Sequence, residues 1–225
     1  MAKVAAEKML SHAIETRRAT PSFQDLPIHS ADLEKIIRAG LAAPSGYNLQ
    51  PWRFVVVRDG DQKRKLRAAA FNQAKVEEAS VVIVACGDAQ GWKNGDLDEM
   101  LHISKQHGFA DEQNEKVRQT VTSLFGGAPS KAGGIEPTFD LWANRHVMIA
   151  FTTVMWTAET LGYDTAPMEG FEEDKVKALL KIPDRVRVVA LLGIGRLKGP
   201  DKPFAGRLPT SRIVFEHEWG HPIEF

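Results

Sequence analysis

Cysteine is almost absent. Cys86 is the only one, so no disulfide can close within the chain, and the composition fits a reducing compartment. Neither sign of charge is in surplus. Lys plus Arg number 29 and Asp plus Glu number 29, which disfavours nucleic acid as a main partner but leaves room for one local basic pocket. Long apolar runs are missing too. The longest, Val81 to Cys86 and Val188 to Ile194, fall far short of the ~20 residues that span a bilayer, so no membrane association is expected. The N-terminus, MAKVAAEKMLSHAIETRR, interleaves charge with Ala, Leu, Met and Ile at helical spacing, unlike the continuous apolar region of a signal peptide. Internal repeats and low-complexity segments are also lacking. The expectation is a folded cytoplasmic protein.

What is present suffices for a large core. The 225 residues are 43% hydrophobic and 26% charged, and a chain of this size buries roughly 70–75% of its unfolded surface. Periodicity predicts helices over 3–15 and 31–42, the second capped by Ser30 and carrying Leu33, Ile36, Ile37 and Leu41 on one face. Buried strands are expected at Phe54–Val57, Ser80–Cys86 and Val186–Leu192. Further helices are expected at 61–70, 96–106, 110–125 and Phe171–Lys181, while Phe71–Glu78 reads as helical or irregular. The Gly- and Pro-rich stretch 125–137 reads as a mobile loop. Residues 138–161 are helical and apolar nearly all round, which requires burial on several sides, in a large core or a subunit interface. The last 25 residues show little helical pattern and are either disordered or wrapped on something; Ile213, Val214, Phe215 and Trp219 favour wrapping.

Some motif matches fail on context. His217-Glu218-Trp219-Gly220-His221 spells H-E-x-x-H, but zinc chemistry needs both His on one helical face, and Gly220 and Pro222 break any helix. No metal is therefore expected. Gly193-Ile194-Gly195 follows a strand as a dinucleotide fingerprint does, but Pro200 and Pro203 prevent the helix that must open behind it. Cys86 ends an apolar strand and reads as a packed thiol. The histidines at 12, 29, 102, 107 and 146 have no nucleophile or carboxylate at telling spacing.

Polar segments at the ends of expected elements remain. Arg17-Arg18-Ala19-Thr20 follows a helix and could cradle a phosphate, since guanidinium groups bind phosphate oxygens bidentately; two arginines there could equally just complement the helix dipole. Pro44 to Trp52 presents Ser, Asn and Gln between helix and strand, as a ligand-facing turn or a self-satisfied loop plugged by Trp52. Ala166 to Phe171 lies between a short extended piece and a helix, with backbone N–H groups free near the helix start. Physical chemistry alone stops at a phosphate-bearing ligand held by separate segments.

RRAT, APSGYNLQPW, FNQAKVEEAS, PMEGF and LPTSR, in that order, resemble the signatures of the FMN-dependent nitroreductase family from about residue 14 to 215. Ala43 through Ser80 is especially similar to its bacterial NADH oxidase branch. The resemblance implies an α+β fold, a three-layer α/β/α sandwich with a mixed, largely antiparallel sheet, in an intertwined homodimer. It implies one domain over 1–225, with a variable helical lid at about 92–137 and a C-terminal extension at 205–225 wrapping the partner subunit. It further implies tightly bound FMN, with Arg17, Arg18, Thr20 and Arg212 at the phosphate side, and Pro44, Ser45 and Asn48 reaching the flavin of the other subunit. Asn72 and Lys75 would line the pyrimidine edge, and Pro167, Met168, Glu169 and Gly170 would lie against the ring, one backbone N–H toward flavin N5.

NAD(P)H is the implied co-substrate and a nitroaromatic, quinone or similar small aromatic the implied acceptor, in a ping-pong cycle needing no protein nucleophile. Lys75 would support the negative charge of reduced flavin. The alternative reading is the same fold with a different flavin chemistry, reductive dehalogenation or flavin destruction, or a flavin-binding dimer without reductase activity. Ala19, Pro21 and Thr210 depart from the family pattern, which usually has Ser, a basic residue and Lys there.

Overall fold

The computed structural model describes residues 9–126 and 139–224. In chain order its helices and strands are α1 (Leu10–Thr16), α2 (Ser30–Leu41), β1 (Trp52–Val57), α3 (Gly60–Ala69), α4 (Ala74–Glu78) and β2 (Val81–Gly87), then α5 (Asp96–Gln106), α6 (Asp111–Gly126), α7 (Phe139–Thr160), β3 (Asp164–Met168), α8 (Glu173–Leu180) and β4 (Arg187–Gly195). The strands form a four-stranded sheet in the order β1-β2-β4-β3, antiparallel at each pairing.

The pleat sends alternate side chains of β2 to opposite faces. Val81, Ile83 and Ala85 meet Ile36 of α2 and Val147, Phe151 and Val154 of α7. Val82, Val84 and Cys86 meet Leu66 of α3, Val76 of α4 and Val176 of α8. Helices thus cover both faces, giving the expected three layers. Each fully buried Val, Leu or Ile contributes roughly 1.5–3 kcal/mol. A smaller cluster under α5 and α6 gathers Leu49, Leu97, Met100, Leu101 and Val121.

Several expectations shift for identifiable reasons. The first helix is expected over 3–15; its described part is α1, and residues 1–8 lie outside the described residues, as does the expected loop beyond Gly126. Ser30 opens α2 rather than capping it: His29 holds the cap position, and no side chain accepts there. The expected buried strand at 54–57 is an edge strand with Val56 exposed. Helix α8 starts later than expected because the Glu172 N–H is taken by the Ala69 carbonyl at 2.8 Å, and left-handed Lys181 (φ 56°) ends it. The short extended piece before Pro167 is a full edge strand, β3, where proline is tolerated. Strand β4 runs on through Gly193 and Gly195 because both press against Phe23; a Cβ at 195 would stand 2.8 Å from its ring. Packing, not a dinucleotide, accounts for that Gly-x-Gly.

Candidate functional site

The chain leaving α1 is laid onto β3. Arg17 caps α1, its N–H donating to the Ala13 carbonyl at 2.9 Å. Buried Thr20 donates its N–H to the Thr165 carbonyl at 3.0 Å. Two residues on, Glu78 of α4 accepts from Ser22 Oγ at 2.7 Å and from the Phe23 N–H at 3.1 Å. Arg17, Arg18 and Thr20 are therefore pinned between β3 and α4. The Arg17 guanidinium faces Trp156 at 5.7 Å, and its Nε and Nη1 are buried with no hydrogen-bond partner among the described residues. Buried cationic donors are costly until an anion meets them.

The second segment joins the first through α4. Phe71 and Asn72 adopt left-handed backbone (φ 50° and 55°), reversing the chain between α3 and α4. The turn is held by the Asn72 N–H on the Arg67 carbonyl (3.0 Å) and by Arg67 Nε on the Asn72 carbonyl (3.3 Å). Half-buried Lys75 follows, its ammonium pKa lowered by burial first and by the Lys202 charge second. The third segment is tied to this turn: Gln73 Nε2 donates to the Gly170 carbonyl at 2.8 Å. A Cβ at Gly170 would approach the same Nε2 to 3.4 Å and the Phe71 ring to 3.6 Å, so backbone and turn run close together. Pro167 and Met168 are paired in β3 with Leu192 and Leu191. The Met168 side chain is buried in the core, whereas Glu169 and Gly170 are exposed.

Pro44, Ser45 and Asn48 are held by other elements. The Gly46 N–H donates to His146 Nε2 at 2.9 Å. The ring's other nitrogen, Nδ1, lies 2.8 Å from the Trp142 carbonyl, so the proton sits on Nδ1. Ser45 Oγ accepts from the Gln50 N–H at 3.0 Å, leaving exposed Pro44 and Asn48 at the surface. Tyr47, Asn48 and Gln50 are all left-handed (φ 53°, 54° and 45°), so this turn is strained and over-determined by its partners. Beside it, Phe125 of α6 packs 6.4 Å from Tyr47 and 5.2 Å from Trp142, with Trp92 at 6.2 Å.

The tail adds residues that periodicity could not find. Leu197 bridges Phe23, the Gln24 N–H donates to the Arg196 carbonyl at 2.8 Å, and the Lys198 N–H to the Ser22 carbonyl at 3.0 Å. Farther on, the Phe204 ring lies 4.6 Å from the Arg18 guanidinium and 5.1 Å from that of Arg207, both within cation–π range. Arg207 is thus the tail arginine beside Arg18. Arg212 sits in an exposed single turn, Thr210–Arg212. The one signal for Lys202, Phe204 and Arg207 is a ring set between cations in a segment without period. Among the described residues, Arg17, Arg18, Lys75, Lys202, Arg207 and Arg212 enter no ion pair. The segment His217 to Gly220 is bend and turn, with left-handed His217 and Gly220, so His217 and His221 share no helical face.

The chain matches the model of the nitroreductase family over residues 14–196. It is 35% identical over 198 residues to an NADH dehydrogenase of Thermus thermophilus, covering 88% of this chain and 91% of that one. It is 31% identical over 208 residues to MhqN of Bacillus subtilis, provisionally named an NAD(P)H nitroreductase, covering 91% and 97%. A solved structure from Exiguobacterium sibiricum, in complex with FMN, superposes with a TM-score of 0.81 at 24% identity over 94% of this chain and 99% of that one, and so shares its fold. The chain belongs to the nitroreductase family of oxidoreductases.

Proposed function

We propose that the protein is a cytoplasmic, homodimeric, FMN-dependent oxidoreductase that passes reducing equivalents from NAD(P)H to nitroaromatics, quinones or similar small aromatic acceptors. The observation that carries this reading is the buried, unpartnered guanidinium edge of Arg17, set among cations that have no carboxylate partner among the described residues. The donor set fits FMN, whose phosphate would satisfy Arg17 and Arg18, with Arg207 and Arg212 approaching from the tail. The buried Thr20 N–H bond to β3 keeps that cradle in place.

The chemistry supplied by bound FMN is hydride acceptance from NAD(P)H and its delivery to a second substrate. The chain's own part is to orient and to polarise. Asn72 and Lys75 would serve the pyrimidine edge, where the Lys75 ammonium offsets charge in a water-poor setting. Pro167 to Gly170 would lie against the ring, contributing backbone rather than the buried Met168 side chain. Pro44, Ser45 and Asn48, on their His146-locked turn, would face the flavin of the other subunit.

The proposal takes the chain as one domain over 1–225, with a lid at about 92–137, of which 127–137 lie outside the described residues, and an extension at 205–225 that would wrap the partner. Exposed Ile213 and Val214, and Trp219 at 90% exposure, are apolar groups that a partner subunit would cover. So are Leu10 and Ile14 of α1 and Ile149 of α7. Steady-state kinetics with NADH and menadione test the function. Parallel double-reciprocal lines are expected, one product leaving before the second substrate enters; converging lines would contradict the separated half-reactions.

A further inference from the structure

We propose that Lys202, carried in by the C-terminal tail, is a second cation at the Lys75 edge of the flavin site and helps set the reduction potential of the bound cofactor. The inference rests on the flavin reading above and assigns a role to a residue that the family signatures do not reach.

Three ties bring the tail that carries Lys202 back to the helix that carries Lys75. Glu78 of α4 grips Ser22 and Phe23, and Lys75 stands one turn earlier on that helix, on the same face. The Lys198 N–H bonds the Ser22 carbonyl at 3.0 Å, so the tail starts its return beside the same residues. The Phe204 ring rests on Arg18 at 4.6 Å, which keeps the tail on this path beyond Gly199. Lys202 lies between these two anchors. The Lys75 ammonium responds to its charge, second only to burial.

A half-buried ammonium under the influence of a second one, neither with a carboxylate partner among the described residues, is arranged for an anion. The nearby Asp201 carboxylate accepts the Lys202 backbone N–H at 2.7 Å and enters no ion pair with either ammonium. Reduced flavin is the more negative form, so a cation at this edge binds it in preference to the oxidised form.

The test is anaerobic spectroelectrochemical titration of the FMN-loaded full-length protein. In Lys202→Gln the preference for reduced over oxidised FMN should fall about tenfold, which is ~30 mV for a two-electron couple, while Lys202→Arg keeps the wild-type potential. Lys75→Gln should shift the potential the same way. A Lys202→Gln potential equal to wild type, with Lys75→Gln lowered, would overturn the proposal and leave the flavin reading standing. A wild-type protein that takes up no FMN at all would overturn both.

Discussion

Arg17 is the residue on which the candidate site turns, because two of its guanidinium nitrogens are buried with no partner among the described residues. Each charge-assisted hydrogen bond to a phosphate is worth about 1.5–3 kcal/mol. Arg17→Ala should therefore weaken FMN binding on the order of 10- to 100-fold, measured by quenching of FMN fluorescence as apoprotein is added. Arg207→Ala should cost more than Arg212→Ala, since Arg207 shares the Phe204 ring with Arg18; the reverse order would make Arg212 the chief phosphate contact from the tail. Cys86 offers a separate check. Burial pushes its thiol from 9.0 up to about 12, so between those values the unfolded chain is ionised and the folded chain is not. Stability is then lost as pH rises through that window, by up to about 1.4 kcal/mol per pH unit, and Cys86→Ala should flatten the slope in urea unfolding between pH 9.5 and 11. Arg17, Asn72 and Lys75 were legible in the sequence because they sit in signatures with fixed spacing. Lys202 and Arg207 were not, because their setting depends on a tail laid across Ser22 and Arg18, a contact without local period.

At the scale of elements, α2 and α7 pack closely at Gly40, where a Cβ would collide with Val154 Cγ2. Gly40→Ala should destabilise by about 1–3 kcal/mol despite the better helix propensity of alanine. Guanidinium chloride unfolding measures this, and adding Val154→Ala should recover part of the loss; an unaltered midpoint in Gly40→Ala would show that the helices can move apart freely. The helices and the two central strands were readable from the sequence. Their apolar runs and 3.6-residue periods are set by burial between layers, as Val81 to Cys86 and Val147 to Ala158 illustrate. Edges were harder to read. Strand β1 reads as buried because its residues are β-branched and aromatic, yet it has one neighbour in the sheet, and β3 reads as no more than a short extended piece. Element ends decided by a single long-range bond, such as Glu172 to Ala69, leave no local trace. The turn around Ser45 is similar: its residues announced polarity, but its lock, His146, is distant in sequence.

For the molecule as a whole, zero net charge coexists with a set of cations that enter no ion pair among the described residues. Neutrality overall argues against broad polyanion binding, while a concentrated positive site attracts a single anionic cofactor. Apolar side chains are left exposed on α1, α7 and the tail, and the proposed homodimer would cover them. The most direct measurement of the central claim is the visible spectrum of freshly purified protein before and after anaerobic NADH. A yellow protein that bleaches with NADH and releases FMN on denaturation is the predicted result. A colourless protein that stays colourless with added FMN would contradict the claim, and the cations around Arg17 would then need another anion.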